Sequence, residues 1–255
     1  MSSTAAGSIL ITGGASGIGY AVAEEAVSRG HAVLLVDRSA EALREAVAKL
    51  STAGAAVLGR IGDVTDLDSL TTAVTETRDD RPPLVGVASC AGIEVGGSVL
   101  DTSVEDWHRA IDVNLTGSFH TLRATLPELL DNGGSAVLIS SDGGVAGAQD
   151  FSAYCASKHG VIGLMRTAAL DFGPRGVRVN AVAPSFVDTP MADRIFAGIE
   201  DERDYWRGVV PLGRFATPAE VAQAVFHLLT EATYTNGHVY RIDGGSTSGY
   251  YQPPA

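Results

Sequence analysis

Tyr154 stands four residues before Lys158 in the stretch SAYCASK (152–158), which holds no Gly or Pro. A phenol beside an ammonium can do acid–base work. Free tyrosine keeps its proton to about pH 10, and a nearby positive charge favours the phenolate. On a helix, positions i and i+4 share a face, so the two groups can meet. The pair alone does not establish chemistry. Such spacings are common on helices and add only about 0.2–0.5 kcal/mol to an isolated one.

The pair must be placed by the elements around it. Short apolar runs recur at 8–12 (SILIT), 32–36 (AVLLV), 56–61, 84–88 (LVGVA), 136–140 (AVLIS), 177–182 and 238–242. Most are β-branched and uninterrupted, the pattern of strands buried on both faces of a parallel sheet. Helical stretches lie between them, at 41–50 (EALREAVAKL), at 104–130 with Pro127 expected near a break, and at 151–172, ended by Gly173–Pro174. Another runs over 218–230 behind Thr217, with Glu220 placed to complete a capping box. Alternating strands and helices predict right-handed βαβ units. The expected fold is α/β, a Rossmann-type doubly wound parallel sheet of about seven strands with helices on both faces. Residues 1–255 read as a single domain. The rhythm breaks only around 186–213, a polar and aromatic excursion containing GIEDERDYW, read as a substrate lid or a surface loop.

Composition narrows the partners. The chain has 255 residues, 45% of them hydrophobic, enough for a sizeable core. Thirty acidic against 18 basic residues give a formal charge of −12. That sign disfavours nucleic acid and anionic membrane surfaces. The two cysteines, Cys90 and Cys155, form no disulfide framework, and no Cys/His spacing resembles a metal site. The start, MSSTAAGSIL, is not a signal peptide, and no apolar run approaches the ~20 residues of a membrane span. A cytoplasmic setting is expected.

A second motif is more specific than the Tyr–Lys pair. Residues 12–19 read TGGASGIG, directly after the first strand and opening the first helix. Gly13, Gly17 and Gly19 allow a tight turn and close approach of backbone to a pyrophosphate, and the helix N-terminus offers N–H groups to the anion. Asp37 ends the second strand, where an acid can bond adenosine ribose hydroxyls and repel a 2′-phosphate. No Lys or Arg lies in the loop to offset that charge; Arg38, next in sequence, cannot remove the carboxylate beside it. The cofactor is expected to be NAD rather than NADP.

With loop, acid and YCASK in place, the chain resembles the single-domain, NAD-preferring short-chain dehydrogenases/reductases over roughly residues 7–246. The motifs fall in order: GDV at 62–64, CAG at 90–92, VNLTG at 113–117, ISS at 139–141, YCASK at 154–158, RVNAVAP at 178–184, VDTP at 187–190 and IDGG at 242–245. The resemblance implies that Asn114, Ser141, Tyr154 and Lys158 are catalytic. Asn114 would hold a water in a proton relay, and Ser141 the substrate oxygen. It implies cofactor contacts from Gly13, Ser16, Gly17, Ile18, Gly19 and Asp37, with Asp63 and Val64 at the adenine. Cys90, Ala91 and Gly92 would border the ribose, Tyr154 and Lys158 would also reach the cofactor, and Val187 and Thr189 would hold the carboxamide. Two positions depart from the family pattern: Ser89-Cys90 replaces Asn-Asn, which puts side-chain bonds stiffening the sheet in question, and Ser185 replaces a Gly that could require φ > 0.

The implied chemistry interconverts a secondary alcohol and its ketone, with Tyr154 as base for oxidation and acid for reduction. Bringing a phenol to pH ~7 requires ~4 kcal/mol of preference for phenolate. An ammonium at ~4 Å supplies about that at an effective dielectric of ~20, so Lys158 is expected to provide most of the shift. Pocket walls are expected from 93–98, 142–151 and 186–213, with Phe151, Phe186, Met191, Phe196, Tyr205 and Trp206 as apolar contacts or lid packing, and Glu94, Asp142, Gln149 and Asp150 able to read hydroxyls. An alicyclic alcohol, a diol or a polyol would fit. His108, His120, His159 and Cys155 read as packing or surface residues. The family also implies a homotetramer, with the helices carrying Asn114 and Tyr154 pairing across one interface and the tail GYYQPPA buried in another. Two alternatives stand beside this reading. One is a 3-oxoacyl thioester reductase, disfavoured by Asp37 and by the absence of Lys and Arg from LPELLDNGGSA at 126–136; the other is an NAD-binding redox sensor without turnover.

Overall fold

The computed structural model describes residues 7–51 and 56–252. Its strands are β1 (Ser8–Thr12), β2 (Ala32–Asp37), β3 (Val57–Ile61), β4 (Leu84–Ser89), β5 (Gly134–Ile139), β6 (Val177–Pro184) and β7 (Val239–Ile242). They form one seven-stranded sheet in the order β3-β2-β1-β4-β5-β6-β7, every pairing parallel. Leu10 of β1 lies between Leu34 of β2 and Val87 of β4.

Strand side chains alternate between faces, which splits the core in two. On one face Ile9, Ile11, Val33, Leu35 and Val137 meet α1 (Gly17–Ser28), α2 (Ala40–Ser51) and α9 (Pro218–Phe226). On the other, Leu10, Leu34, Val87, Ala136 and Leu138 meet α3 (Leu67–Thr75), α5 (Gly117–Asn132) and α6 (Ser152–Phe172). This is the doubly wound sheet that the alternation of elements predicts.

Several details differ from the sequence expectation. Helix α3 was not foreseen; its polar sequence LDSLTTAVT is started by Asp66, whose carboxylate accepts from the N–H groups of Asp68 and Ser69. Pro127 does not break the long helix, which runs on to Asn132 while Leu122, Leu126 and Leu129 pin it to the core. The departure from α geometry comes earlier. Helix α4 (Val104–Ala110) widens into a π-turn at Ile111–Thr116 before α5 begins. The excursion over 186–213 is helical, comprising α7 (Pro190–Ile195) and α8 (Glu200–Val209). The capping box at Thr217 and Glu220 forms as read, although α9 ends at Phe226 and a second π-turn, His227–Glu231, follows it.

Ser185 carries no backbone penalty. Among the described residues Asp150 is the one non-glycine with positive φ. At the amino-terminal end of the sheet a buried ion pair joins Arg81 to Glu128, with paired bonds of 2.9 and 2.8 Å. Glu128 also accepts from Leu84 N–H at 2.9 Å.

Candidate active site

The sheet order reverses around β1, whose neighbours are β2 and β4. The crevice beyond the carboxyl ends of the strands at such a reversal is where open α/β sheets bind ligands. Two adjoining cavities lie there.

The first, of about 270 Å³, is formed around the glycine loop. Gly13 has φ 63°, and a Cβ there would fall 2.8 Å from the Ala91 Cα. A Cβ on Gly19 would fall 2.2 Å from the Gly13 carbonyl oxygen. Both positions exclude a side chain. Ser16, at the N-cap of α1, makes no capping bond, and the first turn holds no acidic residue. The free N–H groups and positive end of α1 therefore stay open to an anion, unlike those of α3 and α9, which side chains satisfy. These residues fit a dinucleotide pyrophosphate. Gly17, Ile18, Asp37, Asp63, Val64, Cys90, Ala91, Gly92 and Thr189 line the same cavity.

Asp37 is fixed in place. One carboxylate oxygen accepts from Ala15 N–H at 3.2 Å and the other from Ser39 N–H at 3.0 Å. Asp63 folds back onto Thr65, accepting from its N–H at 2.9 Å and its hydroxyl at 2.8 Å. These bonds, with the Arg38 charge nearby, outweigh burial and hold the Asp63 carboxyl below its usual range. The Val64 carbonyl lies 2.9 Å from Nδ1 of His120, so that histidine has a structural role, holding the backbone of the cavity wall.

The second cavity, about 190 Å³, contains Ser141, Tyr154, Lys158 and Val187. Its walls are Ile93, Glu94, Phe151, Phe186, Met191 and Ile195, among others. Three of the aromatic residues assigned to it lie elsewhere: Phe196 is buried against Phe186 and Phe215, Trp206 packs on Phe186, and Tyr205 is exposed. They build the lid. Gln149 and Asp150 are also exposed and do not line the cavity.

Helix α6 sets Tyr154 and Lys158 on one face, with the lysine Nζ 5.7 Å from the tyrosine ring centroid. The electrostatics differ from the expectation. Burial pushes the Tyr154 phenol up to about 12; the Ser141 hydroxyl opposes this, while Asp142, Glu94 and Cys155 reinforce it. Burial likewise pushes Lys158 down to about 8. Its ammonium donates to the Ile139 carbonyl at 2.9 Å. Lys158 does not offset that burial: it is buried too, and one of its three N–H donors is engaged with a carbonyl. Desolvation also pushes the half-buried Cys90 thiol up to about 12, against the Lys158 charge nearby.

Asn114 lines neither cavity. It sits in the π-turn, 1% exposed, and its amide exchanges bonds with the Ile93 backbone at 2.8 and 3.0 Å. It also donates to the Ser157 hydroxyl at 2.9 Å, which in turn donates to the Tyr154 carbonyl at 2.7 Å. Asn114 thus ties the pocket loop to α6. Ser157 was not foreseen; its position within YCASK was the available signal. The Thr12 hydroxyl is buried with no hydrogen-bond partner among the described residues, and the Ser89 hydroxyl lies toward that of Ser118.

Known proteins match this arrangement along almost the whole chain. A family model described as enoyl-(acyl carrier protein) reductase matches residues 13–247. The chain is 37% identical to 2-(S)-hydroxypropyl-CoM dehydrogenase 3 of Xanthobacter autotrophicus, over 94% of this chain and 96% of that one. It is 35% identical to meso-2,3-butanediol dehydrogenase of Serratia marcescens, over 96% of each. A crystal structure of an actinorhodin polyketide ketoreductase with NADPH superposes with a TM-score of 0.91 at 31% identity, covering 98% of this chain and 100% of that one. With the glycine loop, the Ser141–Tyr154–Lys158 cluster and the sheet order on one scaffold, the chain belongs to the short-chain dehydrogenase/reductase family and is an oxidoreductase acting on alcohols.

Proposed function

We propose that the protein is an NAD-dependent dehydrogenase of neutral secondary alcohols, alicyclic alcohols, diols or polyols, working reversibly on the corresponding ketones. The observation that carries the reading is Asp37, held by two backbone N–H groups at the rim of the dinucleotide cavity. A carboxylate so fixed accepts from ribose hydroxyls and repels a 2′-phosphate. The substrate cavity is mostly apolar, and the charges in its wall are the acids Glu94 and Asp142 beside Lys158. That balance supports a neutral substrate over an anionic thioester.

Bound nicotinamide supplies or accepts the hydride. The chain supplies the rest. Tyr154 exchanges the proton of the substrate oxygen at its phenol. Ser141 positions that oxygen. Lys158, held by the Ile139 carbonyl, adds positive charge behind the phenol. The Phe186, Phe196 and Phe215 cluster supports the lid helices that keep bulk water out. Two thiols without a disulfide fit a reducing, cytoplasmic setting.

The test is a panel of secondary alcohols offered with NAD⁺ and with NADP⁺, followed by reduced-cofactor absorbance. NAD⁺ should be preferred about tenfold or more, and Asp37→Ser should narrow the gap. Equal use of both cofactors by the wild type would remove the role given to Asp37. Binding of NAD⁺ with no turnover of any alcohol would favour a redox sensor instead. The 36% identity to a 3-oxoacyl-[acyl-carrier-protein] reductase of Thermotoga maritima supports a 3-oxoacyl thioester reductase as the second enzyme reading. Its sign would be 3-oxoacyl thioester reduction outpacing every alcohol and ketone in the panel.

A further inference from the structure

The Ser141 hydroxyl has one proton to give and more than one group placed to take it. Ser141 Oγ donates to an Asp142 carboxylate oxygen at 2.9 Å and accepts from Gly143 N–H at 3.1 Å. The same Asp142 oxygen accepts from Gly143 N–H at 2.7 Å, so the carboxylate is locked onto the turn that follows β5. Tyr154 lines the same cavity, and the Ser141 hydroxyl favours its ionised form when it is free to donate to it. A phenolate at Tyr154 needs the Ser141 proton for its own stabilisation. A phenol needs the reverse, with Ser141 accepting.

We propose that Asp142 is a positioning residue for the acid–base pair: by holding the Ser141 proton, it keeps Ser141 an acceptor toward Tyr154 and so holds Tyr154 as a phenol. Ionisation of Tyr154 then has two costs. The Ser141 proton must turn from Asp142 to the phenolate, and two like charges must sit in one pocket. The site is thereby set toward giving a proton to a ketone at neutral pH and toward oxidising an alcohol only in alkaline solution. This consequence for turnover rests on the alcohol–ketone reading; the competition for the Ser141 proton does not. The groups facing the phenol are Glu94 from the loop after β4, Asp142 from the turn after β5, and Cys155 on α6 itself. Lys158 lies behind the ring, with Cys90 facing it, and Arg194 on α7 faces Glu94. Glu94 acts on Tyr154 through charge alone, since it makes no hydrogen bond to Ser141 among the described residues.

The test titrates Tyr154 through the resonance of isotope-labelled tyrosine Cζ in the complex with NAD⁺, using Tyr154→Phe protein to assign the signal. The variant Asp142→Asn removes the charge and leaves only a weaker, neutral amide oxygen for the Ser141 proton while still accepting from Gly143 N–H; Asp142→Ala removes that acceptor altogether, with Ser141 Oγ still there for Gly143 N–H, and should lower the ionisation pH of Tyr154 at least as far; circular dichroism checks both folds. Tyr154 should ionise about one pH unit lower in Asp142→Asn than in wild type. In a Ser141→Ala background, where no hydroxyl proton is contested, that shift should fall by about half or more. Glu94→Gln should produce a shift that is the same with and without Ser141. In turnover, the acid limb of log kcat for alcohol oxidation should move down by the same amount as the titration. An unmoved Tyr154 in Asp142→Asn overturns the proposal. So does an Asp142→Asn shift of equal size with and without Ser141, which would leave Asp142 as one more nearby charge. If the titration shifts as expected while no alcohol is turned over, the proposed function fails and the proton competition stands.

Discussion

Tyr154 and Lys158 meet on one face of α6, as their spacing requires, but burial governs both proton affinities. The resting phenol, pushed up to about 12, is an acid at neutral pH. It becomes a base only when something further favours its ionised form, and the cationic ring of an oxidised nicotinamide cofactor would be the charge that arrives with the reaction. Alcohol oxidation should therefore rise with pH, because the base is the deprotonated form, through an apparent pKa below the resting value. Tyr154→Phe should remove nearly all turnover while leaving NAD⁺ binding intact in calorimetry. Lys158→Met should weaken NAD⁺ binding and move any residual profile upward. An unmoved profile would leave Tyr154 as base and acquit the ammonium. The Tyr–Lys pair, the glycine loop and Asp37 were legible because each is a short local pattern with a chemical reason. The Asn114–Ser157 tie and the Ser141–Asp142 bond were not. They depend on which lone pair meets which proton, and spacing along a chain does not carry that.

At the scale of elements, the strands were legible as β-branched runs, and their ends fell within a few residues. Helix α3 was missed although Leu67, Leu70, Ala73 and Val74 keep helical spacing behind the Asp66 cap, because it is short and rich in threonine, a weak helix former. The π-turn was missed because a wider turn leaves no composition of its own. Two packing predictions follow from element contacts. The Thr12 hydroxyl, without a partner among the described residues, costs its desolvation with no bond there to offset it. Thr12→Val, similar in shape, should raise stability by about 1 kcal/mol in urea unfolding. A loss instead would mean the hydroxyl is satisfied in solution. Arg81→Met should cost about 3–5 kcal/mol, because it leaves Glu128 charged and buried. Burial raises the Glu128 pKa, but bonds from Arg81 and Leu84 N–H and the arginine charges outweigh it, so the net shift is downward. Glu128 therefore stabilises the fold above its unfolded pKa of about 4.3, and that contribution is lost as pH falls through the lower folded value. Acid unfolding of wild type should be steeper than that of Arg81→Met over that range.

The whole molecule leaves apolar surface on the elements expected to pair. Trp107, Phe119 and Leu170, on α4, α5 and α6, are 39%, 44% and 78% exposed. Tyr240 on β7 and Tyr250 in the tail are 38% and 96% exposed. The last three residues of GYYQPPA lie outside the described residues. Light scattering should give a homotetramer at micromolar concentration, and a monomer there would refute the expectation. The two cavities have a different consequence, one of sequence in time. Ile18, Cys90, Gly92, Ile93, Thr189 and Met191 border both, so the wall of the nucleotide groove doubles as the floor of the alcohol pocket. An alcohol arriving first meets a chamber with one side missing. For an alcohol arriving second, a nicotinamide held in the groove would close it. Traffic through the enzyme should therefore be ordered, nucleotide first in and last out, with the reduced cofactor competing against the oxidised one and the ketone product failing to do so.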